Sequence, residues 1–330
     1  MPRRALHSNG VTHSEASSAA PTESLDIRTN DGWSLRADVR SLAGPSRGTA
    51  VLAHALMARR TEFYRNQDAS FANFLVGRGW RIVAFDFRGH GESRPAAHEG
   101  ATYGYDDFVA RDLAAVCAFA REQVGPGEPV IVVGHSLGGH AAFAAQAVGA
   151  IAVDALVGIG AAPPFLGAHE PSRARWLVKR ALFASMLATA RRVGRFPARA
   201  LRLGSDDESL ACCEDFERVA RTGRWTSRDG GTDYLAALRK VTVPALQIVS
   251  ERDRLECVPA CGARFVACCG GPTEVVRVAR GDDGGDAPSH MGLVTSGRVR
   301  RVWEGMAAWM EGVLASRPDG PRRSGRSFLG

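Results

Sequence analysis

In the five residues Gly134-His135-Ser136-Leu137-Gly138, a serine lies two positions from a glycine on either side. The apolar run Val130–Val133 precedes them and the Ala-rich stretch Gly138–Val148 follows, so the serine falls where a buried strand turns sharply into a helix. Such a turn forces strained angles on the serine and exposes its hydroxyl, and flanking glycines leave room for strand and helix to approach. At the start of the helix, the Leu137 N–H and the positive end of the helix dipole can stabilise charge developing on an oxygen. This is the chemistry of nucleophilic attack on a carbonyl, with Ser136 as nucleophile and Leu137 as an oxyanion donor. A serine hydroxyl is a poor nucleophile at neutral pH, so it also requires a base within hydrogen-bond reach and a third group that holds the base's tautomer.

The rest of the chain must supply a frame for that turn. Short apolar runs alternate with helical patterns. Ser24–Thr29 and Ser34–Val39 read as strands around an Asn30-Asp31-Gly32 turn, followed by a strand over Gly48–His54 and a helix over Asn66–Arg78. Next come a strand at Arg81–Phe87, a long helix at Tyr105–Val124, the strand and helix around Ser136, and a strand at Ala155–Ile159. After an interruption the alternation resumes with strands at Ala245–Ser250 and Glu274–Ala279 and helices at Val258–Cys269 and Arg298–Ala315. The pattern predicts an α/β fold with a mostly parallel, doubly wound sheet covered on both faces. The interruption, with helical patterns at Trp176–Arg192 and Leu210–Arg221, predicts a helical cap over residues 163–240. The core is then 23–162 plus 241–316, between a disordered tail at 1–22 and a flexible basic tail at 317–330. Active sites of such sheets lie at the carboxyl ends of the strands, where the cap can fold over them.

Here the resemblance to a known family becomes plain. The serine motif, together with Phe85-Asp86-Phe87-Arg88-Gly89-His90-Gly91-Glu92-Ser93, resembles the α/β-hydrolase superfamily, and most of all its serine-aminopeptidase-like and monoglyceride-lipase-like branch with uncharacterised bacterial hydrolases. The likeness covers about Leu25 to Leu314, and the segment Arg195–Gly204 is similar to the insertion of one bacterial subgroup. The resemblance implies a chain order of serine, acid, histidine. Asp253, in Ser250-Glu251-Arg252-Asp253 after a strand, matches the acid, with Glu251 as the alternative. His290, in Ser289-His290-Met291-Gly292 after the last strand, matches the base. The second oxyanion donor comes from His54-Ala55-Leu56-Met57, where Leu56 aligns with the donor and Ala55 stands where the family often has glycine. Asp86 is expected to be structural, bonding backbone or Arg88. The acidic loop Gly281–Asp286 lacks the spacing of a calcium loop and could place a carboxylate near His290.

These residues imply a serine hydrolase that cleaves a carboxylic ester through an acyl-enzyme, with a small-molecule ester as partner and with no metal or organic cofactor. An acyltransferase or thioesterase, or a binding protein that keeps the fold without turnover, remain the alternatives. The six apolar residues Trp176, Leu177, Leu182, Phe183, Met186 and Leu187 read as core packing or as an acyl-chain wall, and Glu170, Glu214 and Asp215 as possible holders of a substrate amine. The net charge of +7 is spread along the chain without a nucleic-acid motif, and is read as a solvated basic face. No apolar stretch is long enough to span a bilayer or to form a signal peptide, which points to a cytoplasmic protein. Seven cysteines without paired metal-ligand spacing read as buried thiols.

Overall fold

A computed structural model describes residues 22–66, 69–125, 127–163 and 169–315. The expected tails lie outside these residues, except that Thr22 opens the first strand. The strands are β1 (Thr22–Arg28), β2 (Ser34–Arg40), β3 (Thr49–Ala53), β4 (Arg81–Phe85), β5 (Val130–His135), β6 (Ala155–Ile159), the short β7 (Arg195–Phe196) and β8 (Glu208–Ser209), then β9 (Ala245–Ser250) and β10 (Thr273–Val278).

Eight of these strands form one sheet in the order β1-β2-β4-β3-β5-β6-β9-β10. From β4 to β10 neighbours run parallel, whereas β2 is antiparallel to both β1 and β4. The five inner strands explain the parallel arrangement. Their residues, such as Thr-Ala-Val-Leu-Ala in β3 and Ala-Leu-Val-Gly-Ile in β6, are buried except for the half-buried Arg81 that opens β4, so both faces must be covered. One face packs Val51, Val83, Val132 and Leu156 against the helices α2 (Leu113–Glu122) and α3 (Leu137–Ala147). The other packs Leu52, Ile82, Val133 and Val157 beneath Phe71, Phe74, Trp303 and Met306 of α1 (Phe71–Gly77) and the closing helix Arg300–Ala315. The chain leaves β3 for β4 on one side and later returns to β5 on the other. That reversal opens a crevice at the carboxyl ends of β3 and β5, where such sheets place ligands.

Local chemistry moved two expected boundaries. The first helix begins at Phe71 rather than Asn66, because Asn66 is in the left-handed region (φ 67°) and Ser70 caps the helix by accepting from the Asn73 N–H. The long helix from Tyr105 ends at Glu122 and carries a π-helical turn at Phe108–Asp112. Between β6 and β9 lie the helices α4 (Arg173–Val193) and α5 (Leu210–Thr222), packed on each other, and the β7–β8 ribbon, which the sequence pattern did not indicate. Among the described residues, no helix is long and apolar enough to cross a membrane.

Candidate active site

Ser136 connects β5 to α3 with φ 50° and ψ −113°, a conformation that non-glycine residues rarely adopt. The backbone around it is fixed on both sides: the Ser136 N–H donates to Ile159 O (2.9 Å), and the Gly138 N–H donates to His54 O (3.0 Å). Gly138 of the motif and the Gly139 that follows it are steric requirements. A Cβ on Gly138 would lie 2.2 Å from Ala53 O, and one on Gly139 would lie 2.3 Å from the Ala161 Cβ. Leu137 is the first residue of α3, so its N–H has no acceptor within the helix.

Asp253 and His290 are 37 positions apart in sequence and meet at 2.6 Å through Oδ2 and Nδ1. The Asp253 carboxylate is buried, and it also accepts from the backbone N–H groups of Glu256 (2.9 Å) and Cys257 (3.0 Å). Burial raises its pKa, but the His290 bond, the His290 charge, the Glu256 side chain and the Cys257 N–H outweigh that and lower it to about 2. A carboxylate facing Nδ1 holds the proton there and leaves Nε2 as the basic nitrogen. Glu251, the alternative acid, is exposed, and its backbone N–H pairs with Val278 O (3.1 Å). The His290 ring lies 5.0 Å from that of His135, the residue before Ser136. Beneath it is Gly160 (φ +59°), where a Cβ would come within 2.9 Å of the His290 Cε1.

The loop after β3 shows how this chain manages with Ala55. The Ala55 N–H donates to Glu62 Oε1 (3.2 Å) and the Met57 N–H to Glu208 Oε1 (2.9 Å). Between them, the Leu56 N–H has no partner among the described residues. Met57 itself is left-handed (φ 58°). His54 is buried under the loop; its Nε2 accepts from the Phe87 N–H (3.0 Å), so its Nδ1 donates to Ala55 O (2.8 Å). Burial, reinforced by the positive charge of His90, keeps it neutral, well below its ordinary pKa. The structure therefore brings Ser136, Leu137 and the loop bearing Leu56 together, and separately pairs His290 with Asp253 beside His135. Glu62, Glu208 and Gly160 had no sequence signal: none belongs to a motif, and each makes a contact distant along the chain.

Asp86 is structural through the backbone, one of the two roles expected of it, and does not bond Arg88. It accepts from the Arg60 N–H (2.7 Å), the Arg60 guanidinium and the Glu92 N–H (2.9 Å), while Arg88 pairs with Asp112 (2.7 Å) and Asp31 (2.8 Å). In the acidic loop, Asp283 forks onto Arg298 (2.6 and 3.0 Å) and Asp282 accepts from the Arg301 N–H (2.9 Å). The loop is thus tied to the closing helix, and the acids grouped with His290 are Asp253 and Glu256.

The expected apolar stripe of α4 divides. Met186 and Leu187 are buried and Phe183 stacks on Phe216 (5.7 Å), while Leu177 and Leu182 face solvent at 56% and 48% exposure. On α3, His140 bonds the Tyr105 hydroxyl (2.8 Å) within an aromatic group that includes Trp225, and burial lowers its pKa to about 3. All seven thiols are unpaired.

Residues 51–240 match the family model described as the alpha/beta hydrolase fold. The chain belongs to the α/β-hydrolase family. This hydrolase-fold chain is similar to a non-heme haloperoxidase from Rhodococcus erythropolis, at 31% identity over 203 residues covering 55% of this chain and 68% of the relative. Its fold is similar to that of an esterase domain from Rhodothermus marinus (TM-score 0.54, 20% identity, 88% of this chain and 98% of the other). It is likewise similar to an esterase from Thermogutta terrifontis (TM-score 0.56, 17% identity, 88% and 99%).

Proposed function

We propose that this α/β hydrolase cleaves a carboxylic ester through an acyl-enzyme on Ser136. The observation that carries the reading is the strained serine at φ 50° on the β5–α3 turn, in a chain whose His290 Nδ1 is already committed to Asp253 at 2.6 Å. Strain at a single non-glycine residue persists only where the surroundings enforce it, and it clusters at functional turns.

Ser136 Oγ attacks the ester carbonyl while His290 Nε2 takes its proton, and Asp253 stabilises the imidazolium that forms. The N–H groups of Leu137 and Leu56 receive the oxyanion. His290 then protonates the leaving alcohol, and water repeats the sequence to release the acid and regenerate Ser136. Every group in this sequence is a side chain or backbone N–H of the chain itself.

An ester fits better than a peptide with a free amine. The acids that could hold such an amine are already paired with cations: Glu170 with Lys179 and Arg175 (3.3 Å), Asp215 with Arg228 (3.0 Å), and Glu214 with Arg228 (3.7 Å).

The test is labelling of purified protein with a fluorophosphonate, followed by turnover of p-nitrophenyl esters of increasing chain length. Stoichiometric labelling at Ser136 with ester turnover, both lost in Ser136→Ala, is the expected result. Turnover that survives Ser136→Ala overturns the assignment, and folded protein that neither labels nor turns over would be a binding protein instead. The 31% identity to a protein named a haloperoxidase adds one arm, bromide oxidation with hydrogen peroxide. Acyl-thioester and alcohol-acceptor assays separate thioesterase and acyltransferase activity from ester hydrolysis.

A further inference from the structure

The loop that offers the Leu56 N–H is held by two buried carboxylates that work alike. Glu62 Oε1 accepts from the Ala55 N–H (3.2 Å) and faces His135 Nδ1 (3.1 Å). Glu208 Oε1 accepts from the Met57 N–H (2.9 Å) and faces His90 Nε2 (2.8 Å). Each side chain is buried, and the second oxygen of each, Oε2, is buried without a partner among the described residues. A buried carboxylate oxygen left unsatisfied is destabilising, so neither glutamate is explained by stability alone.

Glu208 stands out because it comes from the segment between β6 and β9, 151 positions from Met57. Its neighbours grip the next peptide, on the carbonyl side of the same residue. Met57 O accepts from the Ser205 N–H (2.7 Å) and the Asp206 N–H (3.1 Å). Arg59 forks onto Asp206 with two bonds of 2.8 Å. Gly204 approaches so closely that a Cβ there would lie 2.4 Å from the Met57 Cβ. Met57 is held in a left-handed conformation that a non-glycine residue rarely adopts. Relaxation of Met57 would turn the Leu56–Met57 peptide, whose N–H Glu208 holds, and through the Leu56 Cα would shift the Ala55–Leu56 peptide that carries the Leu56 N–H.

We propose that Glu208 is a positioning residue for oxyanion stabilisation. It fixes the Met57 N–H, and with Glu62 on the other side it leaves the Leu56 N–H alone free to receive the oxyanion. The oxyanion loop is thereby set by a residue of the segment between β6 and β9, in place of a glycine within the loop. This proposal rests on the reading of Ser136 as nucleophile.

The test compares Glu208→Ala, Glu208→Gln and Glu208→Asp in the full chain. The readouts are kcat and KM on p-nitrophenyl butyrate, Ki for an alkyl trifluoromethyl ketone, which forms a tetrahedral adduct, and melting temperature. Loss or misplacement of one oxyanion donor costs about 100-fold. Glu208→Ala should therefore lower kcat about 100-fold with KM within about threefold, and should raise Ki in parallel with the loss of kcat/KM. Glu208→Gln keeps a carbonyl acceptor for the Met57 N–H and should recover at least about tenfold of the lost kcat. Glu208→Asp keeps the charge but withdraws the oxygen by one methylene, and should lose activity while staying folded. If Glu208→Ala does not fold, the Asp and Gln variants decide. An Asp variant within about threefold of wild-type kcat, an unchanged Ki in a folded Ala variant, or a Gln variant as impaired as Ala overturns the proposal. Wild-type protein that fails to label at Ser136 would instead sink the hydrolase reading, and this proposal with it. Active wild type with indifferent Glu208 variants sinks this proposal alone.

Discussion

His54 and His90 lie with ring centroids 5.2 Å apart, both fully buried, yet they carry different charges. His54 accepts a backbone N–H at Nε2 and is neutral. Both nitrogens of His90 face acceptors, Arg88 O at Nδ1 (3.0 Å) and Glu208 Oε1 at Nε2 (2.8 Å), so both must carry protons. Burial opposes that charge, but the Glu208 carboxylate outweighs burial and raises the His90 pKa to about 9.

The sign of the resulting pH dependence follows from the raised value. His90 binds its proton more tightly in the folded chain than at the ordinary pKa of about 6.5, so its stabilisation is fully present below about pH 6.5 and is lost as pH rises through about 9. Urea unfolding at pH 7 and pH 9.5 should show a fall of the order of 2 kcal/mol. The fall should be smaller in Glu208→Gln, which has no charge to hold the imidazolium. Equal falls in both proteins would mean that His90 is not the group responsible.

Asp253→Asn should leave the fold in place and lower kcat by about 10,000-fold, because an amide facing Nδ1 no longer enforces the tautomer that leaves Nε2 basic. The melting curve and kcat of the variant check this together. A folded variant with more than about a tenth of wild-type kcat would remove Asp253 from the mechanism.

Gly160→Ala tests the floor beneath His290. The added Cβ would sit 2.9 Å from Cε1 and 3.0 Å from Nδ1, at a φ of +59°. Strain alone costs about 1 kcal/mol or more, and displacement of the ring by about 1 Å can cost about 100-fold in rate. Steady-state kinetics should show a kcat loss of that order, whereas an unaffected kcat would mean that His290 has room to move.

Leu182→Glu probes the exposed side of α4. At 48% exposure, the leucine's replacement should change stability by less than about 0.5 kcal/mol and leave the preferred ester chain length unchanged. A shifted chain-length optimum would show that this side of the helix lines the substrate path.

The sheet, its parallel inner strands and the serine turn were legible in the sequence because they rest on local rules. Ala155–Ile159 and Ala245–Ser250 are strands with the bounds their apolar runs predict, since a run of that length buried on both faces has little other use. The serine motif is equally local: five residues between a strand and a helix specify the turn, the glycines it needs and the orphan N–H of Leu137. The start of α1 was misplaced because the break depends on a single left-handed residue, Asn66, which is polar enough to continue a helical pattern on paper.

What only the tertiary structure decided is which charged groups face each other. Asp86 meets Arg60 rather than the nearby Arg88, and the acidic loop meets Arg298 rather than His290. Glu208 reaches the loop after β3 from across the fold. Apolar burial is non-directional and written into periodic patterns, so a sequence reports it. A carboxylate's partner is fixed by direction and by a few ångströms, and those are set only when the segments have packed.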